Sequence, residues 1–251
     1  MRPVSGLAAT PTVPLILRGK APTLTWTPPE IQPASADTTA RLLDLYTHEA
    51  PEFAKVFSAG IDANMLAGGA GEAKKQAGGI ASAFKQVAAG SARLLVEHDG
   101  PRIAVLSYDG WDTHTNEGAD SGRLAGLLAA LDGSLSALAE VMAPVWKDTV
   151  ITVVTEFGRT AHATGTDGTD HGTATTAFLL GGAVKGGRVL ADWPGLKTAQ
   201  LYESRDLAPT TDLRAVLKGA LRDHLGISER VLSTSIFPDS IGVRPIDGLI
   251  G

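Results

Sequence analysis

The chain has 251 residues, of which 43% are hydrophobic and 20% charged, with a formal net charge of −5 and no cysteine. That length can bury a proper core, and residues 1–251 are read as a single α/β domain. The missing cysteine excludes disulfides, thiolate metal ligands and cysteine nucleophiles, and an acidic chain without a basic run argues against nucleic acid as a partner. No stretch is expected to supply the about 20 apolar residues of a membrane span. Met1–Ser5 also does not open a charged start followed by the long apolar core expected of a secretion signal.

Residues 1–36 are rich in Pro, Thr and Ala, and read as a loop whose one apolar patch, Val13–Leu17, forms a short strand or edge segment. Asp37 offers an N-cap for a helix carrying Leu42, Leu45, Tyr46, Phe53, Val56 and Phe57, which Pro51 must break or kink. Gly and Ala crowd residues 60–79 and predict a loose loop, with helix resuming over 80–97. A buried strand at 102–108 leads to Gly110-Trp-Asp-Thr-His114. Leu124, Leu127, Leu128, Leu131, Leu135, Leu138 and Val141 then make one helical stripe that ends before Pro144.

A second strand, at 149–155, leads to Glu156-Phe-Gly-Arg159 and a polar loop through 160–173. Ala177–Leu180 predicts another strand, and Gly186-Gly187 a turn into a short one. Thr210 or Thr211 is placed as cap of a helix with core face Leu213, Val216, Leu217, Leu221 and Leu225, ended by Gly226 at C′. The remaining tail is expected to pack over the surface. This alternation predicts a mostly parallel sheet with helices on both faces.

Carboxylates and imidazoles thus fall where strands end, which is where ligands bind in open α/β sheets. Asp112 and His114, at i and i+2, reach one ion if the segment is extended; a turn with a solvated His is the alternative. Glu156 ends a β-branched strand, where a charge needs a metal or a partner such as Arg159. Asp170 and His171 serve one site if the loop bends; otherwise one binds and the other orients it. His162 reads as a surface residue, and His48, His98 and His224 as helical ones. The five candidates, Asp112, His114, Glu156, Asp170 and His171, are expected in one cleft. Carboxylate and imidazole without thiolate suits a divalent metal: zinc or manganese first, with magnesium, calcium or iron also compatible.

The segments Gly110–His114, Val154-Thr-Glu-Phe-Gly-Arg-Thr160 and Gly168-Thr-Asp-His-Gly172 together resemble the bacterial family DUF1501, as do Leu179–Arg188, Asp206–Arg214 and Phe237–Ser240. The resemblance spans nearly the whole chain. It implies a relation to the alkaline phosphatase and sulfatase superfamily, with one or two metals at strand ends of an α/β sheet. On that relation Asp112 and His114 resemble the earlier aspartate–histidine pair, and His171 the later histidine. Glu156-Phe157-Gly158 stands where the superfamily has Asp-His-Gly, so one imidazole is lost and a full two-zinc centre is put in doubt. Arg159 becomes a candidate anion-binding residue.

Family members begin with a twin-arginine export signal and a first strand bearing an aspartate, and the superfamily nucleophile lies in that early part. The chain is therefore expected to be N-terminally truncated, to self-associate, and to offer only Thr113, Thr115, Thr155 and Thr160 as weak nucleophiles. The resemblance implies a periplasmic or exported, metal-dependent hydrolase of small phosphate or sulfate esters in the full-length form. A non-catalytic metal-binding or structural module of the exported envelope proteome is the alternative.

Overall fold

The computed structural model describes residues 6–10, 12–28, 34–68 and 79–251. The chain forms two compact units, Met1–Trp111 with Ala125–Pro144, and Asp112–Leu124 with Val145–Gly251.

In the first unit β1 (Gly6–Ala9) is the middle strand of a three-stranded parallel sheet, between β2 (Thr23–Thr25) and β3 (Ile103–Leu106). Leu7 pairs with Leu24 on one side and Ala104 on the other, and Leu7 and Ala8 are fully buried. The N-terminal stretch is thus sheet where a loop was expected. Gly-Leu-Ala-Ala has little intrinsic strand preference, and neighbours on both edges hold it extended. Val13–Leu17 is not a strand: Leu15–Leu17 forms a 3-10 turn, with Leu15 and Ile16 exposed.

Ser35, not Asp37, caps α1 (Ala36–Glu49), its hydroxyl accepting the Thr38 N–H at 3.1 Å. Asp37 sits in the first turn and pairs with Arg41 at 2.9 Å. Pro51 opens α2 (Pro51–Leu66), at a position where its missing N–H is not needed. Residues 60–66, expected as loop, continue α2, while the Gly-rich residues 69–78 lie outside the described ones. The core joins Leu7, Trp26, Ala63, Ala67 and Leu94, the last from α3 (Gly79–Val96). Trp26 lies on the α3 backbone at Gly90, where any Cβ would overlap the indole ring.

Most of α4 (Arg123–Val141) also belongs to this unit; Ser134 and Leu138 are buried and Leu128 is exposed. By length and composition α4 is long and apolar enough to cross a membrane, a test that core helices of soluble proteins also pass. The leucine stripe alone does not reveal this. The Ala and Gly residues between the leucines leave few polar positions, although Arg123, Asp132 and Glu140 remain charged.

In the second unit β4 (Ile151–Val153) pairs antiparallel with β7 (Phe178–Leu180), and β5 (Gly158–Arg159) with β6 (His171–Gly172). The architecture is α/β with a small parallel sheet. Among the described residues parallel pairing stops at three strands, and the segments expected to extend it pair antiparallel. Residues 186–190 form no strand, and Val189 and Leu190 are exposed.

Asp212, rather than Thr210 or Thr211, caps α5 (Leu213–Leu225), and Gly226 ends it in the left-handed region at φ 66°. Its buried face is Ala215, Lys218, Gly219 and Ala220, while Leu225 is exposed. The expected leucine face is displaced because the tail packs on the small residues. The Ile246 N–H bonds the Ala215 carbonyl at 3.0 Å, and a Cβ on Gly219 would overlap the Ile246 carbonyl oxygen. Leu232, Ser240 and Leu249 are buried, so the tail supplies core instead of lying on the surface. Lys218, fully buried, ties it down: Nζ donates to Ser233 Oγ (3.0 Å), the Ser240 carbonyl (2.6 Å) and the Val243 carbonyl (2.9 Å).

Replacing Lys218 with Met keeps the stem but orphans buried acceptors, each costing about 1–3 kcal/mol. Lys218→Met is expected to lower unfolding stability by about 2–4 kcal/mol in urea titrations.

Candidate metal centre

Glycine geometry assembles the site. In the β5–β6 hairpin Gly158 faces Gly172 and Arg159 faces His171. A Cβ at Gly158 would overlap the Ala174 carbonyl, and one at Gly172 would come within 2.6 Å of the Arg159 backbone. Gly168 likewise sits against the His114 carbonyl with no room for a side chain. That approach lets the 112–118 loop zip to the 164–169 loop. The Asn116 N–H bonds the Thr166 carbonyl at 3.0 Å, Glu117 N–H bonds Asp167 at 2.8 Å, and Thr169 N–H bonds Thr113 at 3.3 Å. The Thr166 hydroxyl also donates to the His114 carbonyl at 2.8 Å.

Segments far apart in sequence thereby meet at one oxygen. Asp112 Oδ1 lies 2.9 Å from His114 Nε2 and 2.9 Å from His171 Nε2, and the two Nε2 atoms are 3.2 Å apart. Arg159 Nη1 donates to the same oxygen at 2.5 Å. The Asp112 carboxyl is held below the ordinary carboxylate value. Desolvation pushes it up, but the hydrogen bonds from Arg159 and His171 and the charges of both imidazoles outweigh that.

These separations fit a cation. Ligand atoms about 2.0–2.1 Å from a metal lie about 2.8–3.4 Å from one another in octahedral or tetrahedral geometry. Two imidazoles and a carboxylate form a three-ligand set, and all three side chains are about half exposed: 53% for Asp112, 44% for His114 and 51% for His171. A three-ligand set at the surface leaves coordination positions open, unlike a closed structural site.

The expected residues divide. Asp112, His114 and His171 converge. Asp170 stands behind them, with Oδ1 3.6 Å from His114 Nδ1 and accepting the His171 N–H at 2.9 Å. It therefore faces the ring nitrogen turned away from the cluster, the side from which a carboxylate orients a ligating His. Glu156 is exposed and does not belong to the cluster. Arg159, weighed as its partner, bonds Asp112 and Thr169 instead. Phe157 packs its ring on His171, with centroids 4.1 Å apart. His162 is exposed, and His48 bonds its own helix at the Asp44 carbonyl.

Four supporting residues went unread in the sequence: Glu117, Thr169, Arg205 and Asp206. Arg205 donates to the His171 carbonyl at 3.0 Å and pairs with Asp206, whose Oδ2 accepts the Thr173 hydroxyl at 2.9 Å. Burial works to raise the Asp206 carboxyl, but these hydrogen bonds and the Arg205 charge hold it below its ordinary value. Thr169 and Asp206 stand in segments singled out as motifs, without a role, and Arg205 adds only the adjacency of opposite charges at Arg205-Asp206, which is common on any surface.

The family described as "protein of unknown function (DUF1501)" matches residues 8–236. The chain belongs to that family. No curated protein and no solved structure matches it. Each segment that meets at Asp112 lies inside the matched range, so the cluster is built from the part of the chain that defines membership.

Substituting Gly158 with Ala must push β5 off the Ala174 carbonyl and move Arg159 and His171 apart. Gly158→Ala is expected to weaken divalent-cation binding at least about tenfold, a displacement larger than the loss of one outer contact. Calorimetric cation titration, with melting curves on the apoprotein, checks it.

Proposed function

We propose that the chain binds a divalent cation through Asp112, His114 and His171, and uses it to hydrolyse a phosphate or sulfate ester. The observation that carries this reading is the convergence of three ligand atoms, all within 4.8 Å of one another, at an open surface. The imidazole pair favours zinc, with iron compatible, and the carboxylate admits manganese, whereas calcium and magnesium prefer all-oxygen sites. Once bound, such an ion polarises an ester oxygen and steadies the charge of the leaving group. Arg159 lies beside Asp112 and carries the cationic fork suited to an oxyanion of the substrate. An alkaline phosphatase-like fold and a periplasmic or exported setting belong to the same reading, supported by the small parallel sheet and by Asp112 and His114 in the loop that follows β3. Self-association is also proposed, supported by Phe53, Val56 and Met65, which α2 leaves exposed.

A non-catalytic metal-binding module is the second reading, and a specific observation favours it. Three of the four candidate hydroxyl nucleophiles are poorly placed for attack, Thr115 being exposed beside His114. Thr113 is buried, Thr155 donates to the Phe157 carbonyl at 2.8 Å, and Thr160 donates to the His162 carbonyl at 2.9 Å.

Metal analysis after dialysis against zinc and manganese, with calorimetry, tests the site. Wild type is expected to take up one cation. His171→Ala and Asp112→Asn each lose a direct ligand, and are expected to weaken binding by more than the about 10–100-fold that an outer partner contributes. Glu156→Gln is expected to retain wild-type affinity. Turnover of aryl phosphate or aryl sulfate by the loaded chain, abolished in His171→Ala, separates the hydrolase from the binding module.

A further inference from the structure

The cluster does not end at its three ligands. Arg159 makes three directed contacts: Nη1 to Asp112 Oδ1, Nη2 to the Thr169 carbonyl, and Nε to Thr169 Oγ1 at 2.8 Å. The Thr169 hydroxyl, having accepted from Nε, passes its own hydrogen to Glu117 Oε2 at 2.6 Å. That length marks a close O–H to carboxylate contact. Glu117 is 9% exposed, and its backbone is held on both sides: its N–H bonds Asp167, and its carbonyl accepts the Leu124 N–H at 2.8 Å. Donors and acceptors therefore run in one consistent direction, from the guanidinium through the hydroxyl to a nearly buried anion.

We propose that Glu117, acting through Thr169 and Arg159, is the positioning residue that holds the Asp112 carboxylate on the two histidines for cation binding. The inference rests on the metal reading above. A guanidinium next to a cation site needs an anchor, because an arriving dication repels it and competes for the same Asp112 oxygen. Glu117 supplies the compensating charge without approaching the ligands, and Thr169 transmits it in a fixed direction because its hydroxyl has one hydrogen to give. Freed of this chain, Arg159 keeps only the Thr169 carbonyl besides Asp112, and the guanidinium and the Asp112 carboxylate turn together about that contact. The ligand set would then have to be ordered at the moment of binding, at a cost in affinity.

The test titrates zinc and manganese into wild type, Thr169→Val, Thr169→Ser and Glu117→Gln by calorimetry, and records the visible spectrum of the cobalt-loaded proteins. Thr169→Val keeps the shape but breaks the chain, and is expected to bind about 10–100-fold more weakly with an altered cobalt spectrum. Thr169→Ser restores the hydroxyl and is expected to bind within about threefold of wild type with the wild-type spectrum, a rescue that packing alone does not produce. Glu117→Gln, which keeps an acceptor without its charge, is expected to fall between them, and decides the matter if Thr169→Val fails to fold. Wild-type binding with unchanged affinity and spectrum in Thr169→Val and Glu117→Gln overturns the inference alone. No cation binding by wild type overturns the metal reading, and the inference with it.

Discussion

Everything at the candidate site depends on how closely two backbones can approach. Gly168 lies against the His114 carbonyl, and Gly158 and Gly172 face each other across a two-residue ladder, in spaces that admit no Cβ. Hydrogen bonds between the 112–118 and 164–169 loops form because of that approach, and they carry His114 to His171. Glycine is entropically costly in a strand, losing more freedom than any other residue on folding. Here that cost secures a contact between chain segments more than 50 residues apart, at 57 for the two histidines. The recurrence of glycine beside each chemical residue, in Glu-Phe-Gly-Arg and Gly-Thr-Asp-His-Gly, has this steric cause.

Asp112 is where the packing becomes chemistry. One of its oxygens receives an arginine and two imidazoles, more donors than it has lone pairs to satisfy well. The same crowding of two ring nitrogens and a carboxylate oxygen at about 3 Å is the spacing that ligands of one shared cation adopt. Around it each ligand has its own support: Asp170 behind His114, Phe157 on the face of His171, Arg205 on the His171 carbonyl, and Thr169 with Glu117 behind Arg159. Ligating groups are held by neighbours of this kind in metal sites generally.

The unevenness of what could be read in advance has identifiable causes. Helices announce themselves through period and punctuation, so α3, α4 and α5 lie close to where apolar spacing and Gly226 put them. Caps were misplaced by one or two residues, at Ser35 and Asp212, because Ser, Thr and Asp are all competent there and geometry alone chooses. β1 escaped notice because Gly-Leu-Ala-Ala is extended by its two neighbours and not by its own preference. The face of α5 was misread because period identifies a stripe of leucines, whereas the tail packs on the small residues beside it and buries a lysine whose ammonium finds three oxygens.

The sequence by itself determined the family, the helices and the chemical types at the site, because motif spacing, side-chain period and residue chemistry are local properties of the chain. It also placed Asp112 and His114 in the loop after a strand, whereas His171, expected in a polar loop, lies in β6. Only the tertiary structure decided which of these side chains meet. Glu156 and Asp170 have the same chemistry as Asp112, yet one stands outside the cluster and the other behind it. The sorting follows from strand register and glycine contacts across the β5–β6 hairpin, which pair Arg159 with His171. Register is a property of two segments at once, and no single stretch of sequence contains it.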